Sequence, residues 1–166
     1  MDKYYYLVSQ LPELKFGGEV FLSKDDFIEQ ALKWLSEDDF ALLEKVNIND
    51  VSWDDSGCAV IKEYKQFESN LREEIAKYRG AVKRKEEYQL REPLKSILIE
   101  GNPLEVEKKL LHLRWGFIEE LQNFHYFDIG FLILYMLKIQ ILAHLVVFDK
   151  EKGRAVFNEL SQPALM

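Results

Sequence analysis

A single cysteine, Cys58, leaves the chain unable to form an internal disulfide, whereas a small secreted domain usually carries an even set, so a reducing compartment is expected. Glycine and proline are scarce. Only 8 and 4 of them punctuate 166 residues, too few for the frequent turns of an all-β sandwich. Positive charge is also in deficit: 22 Lys and Arg face 29 Asp and Glu, and the net charge of −7 repels both nucleic-acid phosphates and the anionic face of a bilayer. The N-terminus lacks the basic region, apolar run and small-residue cleavage site of a secretory signal, which makes the cytoplasm the expected location.

What is present favours helix. Hydrophobic residues make up 48% of the chain and aromatics 13%, enough for a core, and Leu, Glu and Lys, all good helix formers, are abundant. The length suits one domain over 1–166, with no linker long enough to divide it. The stretch 4–14 is apolar but too short to fix its own period, so it is open to helix or strand. Ser23-Lys-Asp-Asp26 and Ser36-Glu-Asp-Asp39 each place a hydroxyl cap and first-turn acids before an apolar run. They predict a helix over about 24–35 and a second from about 37.

The polar stretch 47–57 reads as a solvated connector. Its acids Asp50, Asp54 and Asp55 lack the alternate spacing, central Gly and closing Glu of a calcium loop. From Ala59 to Tyr88, Val60, Tyr64, Phe67, Leu71, Ile75, Tyr78 and Val82 recur at steps of three and four, the seam of a long helix, with Glu63, Glu68, Arg72 and Glu73 assigned to its watered faces. The basic run of Lys77, Arg79, Lys83, Arg84 and Lys85 complements that helix's C-terminal dipole, and no exposed aromatics interleave it for base stacking. No nucleic-acid partner is expected.

Gly101-Asn102-Pro103 breaks the chain and opens a helix over 103–124, on whose apolar stripe Trp115 is a predicted core anchor. The segment 129–148 has the length of a membrane span, but Lys138 at its centre, with Gln140 and His144, favours a helix buried in a bundle. Asp149 to Gly153 is expected to end it, before a short amphipathic segment containing Phe157 and Leu160. The predicted fold is thus all-α, an irregular bundle of about six helices built on 59–88, 103–124 and 129–148.

No residue set points to catalysis, a cofactor or a metal. His112, His125 and His144 are scattered, and the His125-x-x-Asp128 spacing has no second pair to complete a coordination sphere. Phosphate loops, nucleophile elbows and zinc helices are absent, and Cys58 has no adjacent base.

The run 102–153 resembles an uncharacterised bacterial family whose genes lie within V-type ATPase operons. The similarity rests on Asn102-Pro103-Leu104-Glu105, Arg114-Trp115, Phe127-Asp128, the run from Tyr135 to Leu142, and Gly153, and the opening YYYLVSQLPEL is similar as well. That family in turn resembles a shortened form of the C-type component of V/A-type ATPases, the d-type component of eukaryotes. The parallels are a Y-x-Y start, Ser-acid-acid-Phe helix openings and a late Y-x-x-K, here Tyr135 to Lys138. The glutamates that follow this Lys in the C-type component are replaced by Ile139, Gln140 and Ile141, and the chain is about half the expected length.

The resemblance implies part of an all-α, funnel-shaped fold and a non-catalytic role, as component or assembly factor, between the central stalk and the rotor ring. Central-stalk and rotor-ring proteins would be the partners, with the inner membrane met only through the complex. The candidate protein contacts are Tyr4, Tyr5 and Tyr6 with Phe124, His125, Tyr126 and Phe127, for each of which core packing is the competing role. The alternative is a cytoplasmic helical enzyme or small-ligand binder without a recognisable motif.

Overall fold

The computed structural model describes residues 4–52, 56–99 and 101–161, with side chains through Lys150. Seven helices and no strand occur among them: α1 (Tyr5–Gln10), α2 (Lys24–Leu32), α3 (Glu37–Glu44), α4 (Ala59–Lys83), α5 (Leu94–Ile99), α6 (Pro103–Gln122) and α7 (Ile129–Ser161). The all-α expectation holds, and the open N-terminal stretch resolves to helix.

The two serine capping signals act as read: Ser23 Oγ accepts from Asp26 N at 3.1 Å and Ser36 Oγ from Asp39 N at 3.3 Å. Pro103 opens α6 as expected, and Asn102, read only as part of the break, also caps it, its Oδ1 accepting from Glu105 N at 3.0 Å. Each bond satisfies a backbone donor that the new helix leaves without a partner.

The centre of the bundle is α7. Eight consecutive residues, Leu132 to Ile139, are buried, because α2, α3, α4 and α6 enclose the helix. By length and composition Ile129–Lys150 could cross a bilayer, yet 61% of its most apolar window is buried inside the fold. Its polar groups are answered within the bundle. Gln140 Oε1 accepts from Ile48 N at 2.8 Å and its Nε2 donates to Val46 O at 2.7 Å, a two-point clamp on the chain after α3. Tyr135 donates to Pro12 O at 2.7 Å, tying down the loop after α1. Trp115 is buried as expected, with its Nε1 donating to Glu119 Oε1 at 2.9 Å.

Four expectations are corrected by the structure. Glu68, assigned to a watered face, is fully buried: it lies four residues from both Tyr64 and Arg72 and accepts from Arg72 Nε at 2.9 Å and from Arg114 Nε and NH2 at 2.7 and 2.9 Å. The α4 seam drifts: its steps from Val60 to Val82 average about 3.7 residues and run ahead of the 3.6-residue turn, so that Ala81 is buried where Val82 was expected and Val82 is exposed. The helix also ends early. Lys85 takes φ 58°, Lys85 N donates to Val82 O and Glu86 N to Ala81 O, a left-handed C-terminal cap built without glycine.

The stretch 47–57, third, is not merely solvated: Ile48 is buried, Tyr64 donates to its carbonyl at 3.2 Å, and Arg72 NH2 donates to Asn49 O at 3.0 Å. Asp54 and Asp55 lie outside the described residues. Finally, α7 continues through Asp149–Gly153. Lys and Glu favour helix, one Gly costs only about 1 kcal/mol, and Lys108 of α6 holds Asp149 at 2.8 Å. The side chains of Phe157 and Leu160 lie outside those described.

Candidate functional site

The two aromatic clusters singled out in the sequence, one near the N-terminus and one between α6 and α7, meet in space. At the second of them the chain turns sharply, and Phe127 sits at φ 56°, a conformation that disfavours bulky side chains. The turn is held from both sides. Asp128 Oδ1 caps α7 by accepting from Phe131 N at 2.9 Å, while Asp128 Oδ2 lies 3.0 Å from His125 Nδ1. The His125 ring rests on Gly130, where a Cβ would stand 2.5 Å from Nδ1, so this corner requires glycine. From the other side, Tyr4 N donates to Phe127 O, and the Tyr5 ring packs on Phe127 with centroids 4.7 Å apart.

Of the seven predicted contact residues, Tyr4 is a core residue: it is buried, and its hydroxyl donates to Asp39 at the start of α3. Burial, followed by that carboxylate, pushes the phenol pKa up. His125 and Phe127 are half-buried and build the corner. The other four face solvent: Tyr5 and Tyr6 expose just over half their surface, Tyr126 69% and Phe124 79%. Sequence reasoning missed another exposed aromatic at this surface. Trp34 follows the end of α2 and packs on Tyr6 at 4.5 Å while exposing 47%. The earlier end of α2, at Leu32 instead of about 35, takes Trp34 off the apolar stripe.

One turn further along α1 and α7, a cleft of about 330 Å³ opens between Val8, Leu11, Glu13, Glu119 and Phe131, with Lys138 at its base. Lys138 Nζ lies 3.6 Å from Glu119 Oε1 and 4.8 Å from the centre of the Trp115 ring. Burial pushes the Lys138 pKa down, opposed by Glu119 and more weakly by Glu13. A shallower depression joins Lys138 to Glu120 and Asn123, directly before Phe124. Aromatic surface and cleft therefore adjoin.

A separate cleft of about 610 Å³ lies between α3, residues 45–52 with Ser56, and α4, with Asp38, Lys45, Asp50 and Lys65 around Tyr64, Ile133 and Leu137. Asp50 pairs with Lys65 at 3.2 Å, and its Oδ1 accepts from Ser52 N at 2.9 Å. The Ser52 bonds first, and Lys65 second, lower its pKa to about 2. The buried Glu68–Arg114 pair, also missed in the sequence, joins α4 to α6 beside the stacked rings of Phe67 and Phe117, 4.1 Å apart. Its signal was Arg114 on an otherwise apolar stripe.

The three histidines share no site. His112 packs edge-on against Phe16, His125 holds the corner, and His144 borders a shallow hollow near Ile48. Among the described residues, no group of three or more His, Cys, Asp or Glu side chains could hold a metal ion.

No curated protein and no solved structure matches this chain. Residues 81–163, half of the sequence, match a family described as protein of unknown function (DUF2764), and the match spans the end of α4, α5, α6, the Phe127 corner and α7. The chain belongs to the DUF2764 family.

Proposed function

We propose that this protein is a non-catalytic, C/d-like component or assembly factor of a V/A-type rotary ATPase, binding the central stalk and coupling it to the rotor ring. The observation that carries a binding role is the set of exposed aromatics, Phe124 and Tyr126 on a strained and doubly braced corner, and Tyr5 with Tyr6 and Trp34 next to it. Tyr and Trp are enriched among residues that dominate protein–protein affinity, and a rigid mount limits the entropy lost on docking. The particular machine is supported by the resemblance of residues 102–153, which lie inside the stretch that defines the family. The protein then works in the cytoplasm and meets the inner membrane only through the complex.

The test is a pull-down of the tagged protein from its native cell, paired with deletion of its gene. Stalk proteins should be recovered with it, and the deletion strain should show loss of assembled or coupled ATPase. Intact, coupled ATPase in the deletion strain together with no stalk protein in the pull-down refutes the proposal. The 610 Å³ cleft, with two lysines and two aspartates over an apolar floor, favours a second reading as a binder of a small polar ligand. A small molecule that co-purifies and is lost on Lys45→Ala would move the assignment there.

A further inference from the structure

We propose that the aromatic surface receives a basic amphipathic helix of the partner protein, whose apolar side covers Tyr5, Tyr6 and Phe124 while an arginine or lysine is seated at the Lys138 cleft, facing Glu13 and Glu120. This deepens the docking role given above and rests on it. Charge and shape both point to such a partner.

Among the described residues, Lys138 is the single cation lining the cleft and the adjoining depression, and Glu119 already answers it while also accepting from Trp115. Glu13 and Glu120 also line these hollows, are exposed, and make no ion pair among the described residues. Two negative charges therefore remain beside apolar walls formed by Val8, Leu11 and Phe131. The first turn of α3, with Glu37, Asp38 and Asp39, reaches the start of α1 through the Tyr4–Asp39 hydrogen bond.

The acidic bias is local as well as global. Residues 77–109 carry nine basic and six acidic side chains, which leaves thirteen basic against twenty-three acidic for the rest of the chain, where this surface lies. An acidic partner would meet repulsion from Glu13 and Glu120, whereas a basic side chain facing them is attracted. A helix fits because the aromatic patch and the cleft lie one turn apart along α1 and α7, so that anchors at i and i+4 reach both.

The experiment measures binding of a synthetic amphipathic Leu/Arg helical peptide, and of the same peptide with Glu in place of Arg, to the full chain. The Arg peptide should bind and the Glu peptide should not. Glu13→Lys/Glu120→Lys should weaken Arg-peptide binding about tenfold or more, with Glu63→Lys on the exposed side of α4 as the remote control and circular dichroism to check folding. Tyr5→Ala/Phe124→Ala should weaken it comparably while leaving net charge unchanged. Equal losses in the site and control variants, or binding of the Glu peptide, overturns the inference.

The same variants in the native-cell pull-down separate the two claims. If Tyr5→Ala/Phe124→Ala loses the stalk but Glu13→Lys/Glu120→Lys retains it, the basic helix is wrong and the ATPase partner stands. If peptide binding follows the pattern but no stalk protein is recovered, the inference stands and the ATPase assignment falls.

Discussion

Glu68 and Arg114 share a costly position, a carboxylate with no exposed surface held by a bidentate guanidinium. Burial works against the charge on Arg114, and the Glu68 bonds more than offset this, so its pKa lies above the ordinary value. Removing one partner should cost far more than removing both, because the survivor keeps its desolvation penalty. Arg114→Met should lower unfolding stability in urea by about 3–5 kcal/mol, and Glu68→Met in addition should restore much of that loss. Asp50 offers a pH-dependent counterpart. Its pKa falls from 3.8 to about 2 on folding, so its stabilisation is fully present above the unfolded value and is lost as pH falls through 2. Stability measured against pH should show wild type and Asp50→Ala converging across that window.

Helix interiors and helix corners give opposite signs to the same substitution. Gly80 lies inside α4, and an added Cβ would meet only the flexible end of Arg84 at 3.3 Å, so Gly80→Ala should stabilise by about 0.5–1 kcal/mol. Gly130 also lies in a helix, but its Cβ would displace the His125 ring and break the bond to Asp128. Gly130→Ala should therefore destabilise by about 1–3 kcal/mol in thermal unfolding, in the manner of overpacked sites. Caps, breaks and apolar stripes made α2, α3, α4, α6 and α7 legible from sequence, since Ser23 and Ser36 announce their helices chemically and Gly101 to Pro103 marks the start of α6. The short α5 was not. Six residues after Pro93 give no period to read, and only Ile97, packed with Leu71, Ile75 and Leu110, shows why it is there. The left-handed turn at Lys85 was hidden for a similar reason, because lysine carries no signal for positive φ.

For the molecule as a whole, the decisive point is that the most apolar segment is also the most enclosed one. With Leu132 to Ile139 surrounded and Lys138 answered by Glu119, the chain should be recovered from cells without detergent. Recovery only in a carbonate-resistant membrane fraction would show α7 to be a span. The aromatic site was half legible: the sequence marked both clusters as aromatic-rich, while their meeting depends on Tyr4 N reaching Phe127 O from the far end of the chain, which no local pattern encodes. Trp34 joined the surface, and Tyr4 left it, for reasons of packing alone.

The Gln140 clamp gives the whole body a mechanical character. By holding Val46 O and Ile48 N at once, an amide side chain on the central helix acts as a rung, and a segment without regular structure becomes part of the rigid frame. The Ile48 amide should resist deuterium exchange as the core of α7 does, and Gln140→Leu should release it by several orders of magnitude. In the role proposed above, between shaft and ring, such stiffness would pass strain on instead of letting a loose loop dissipate it.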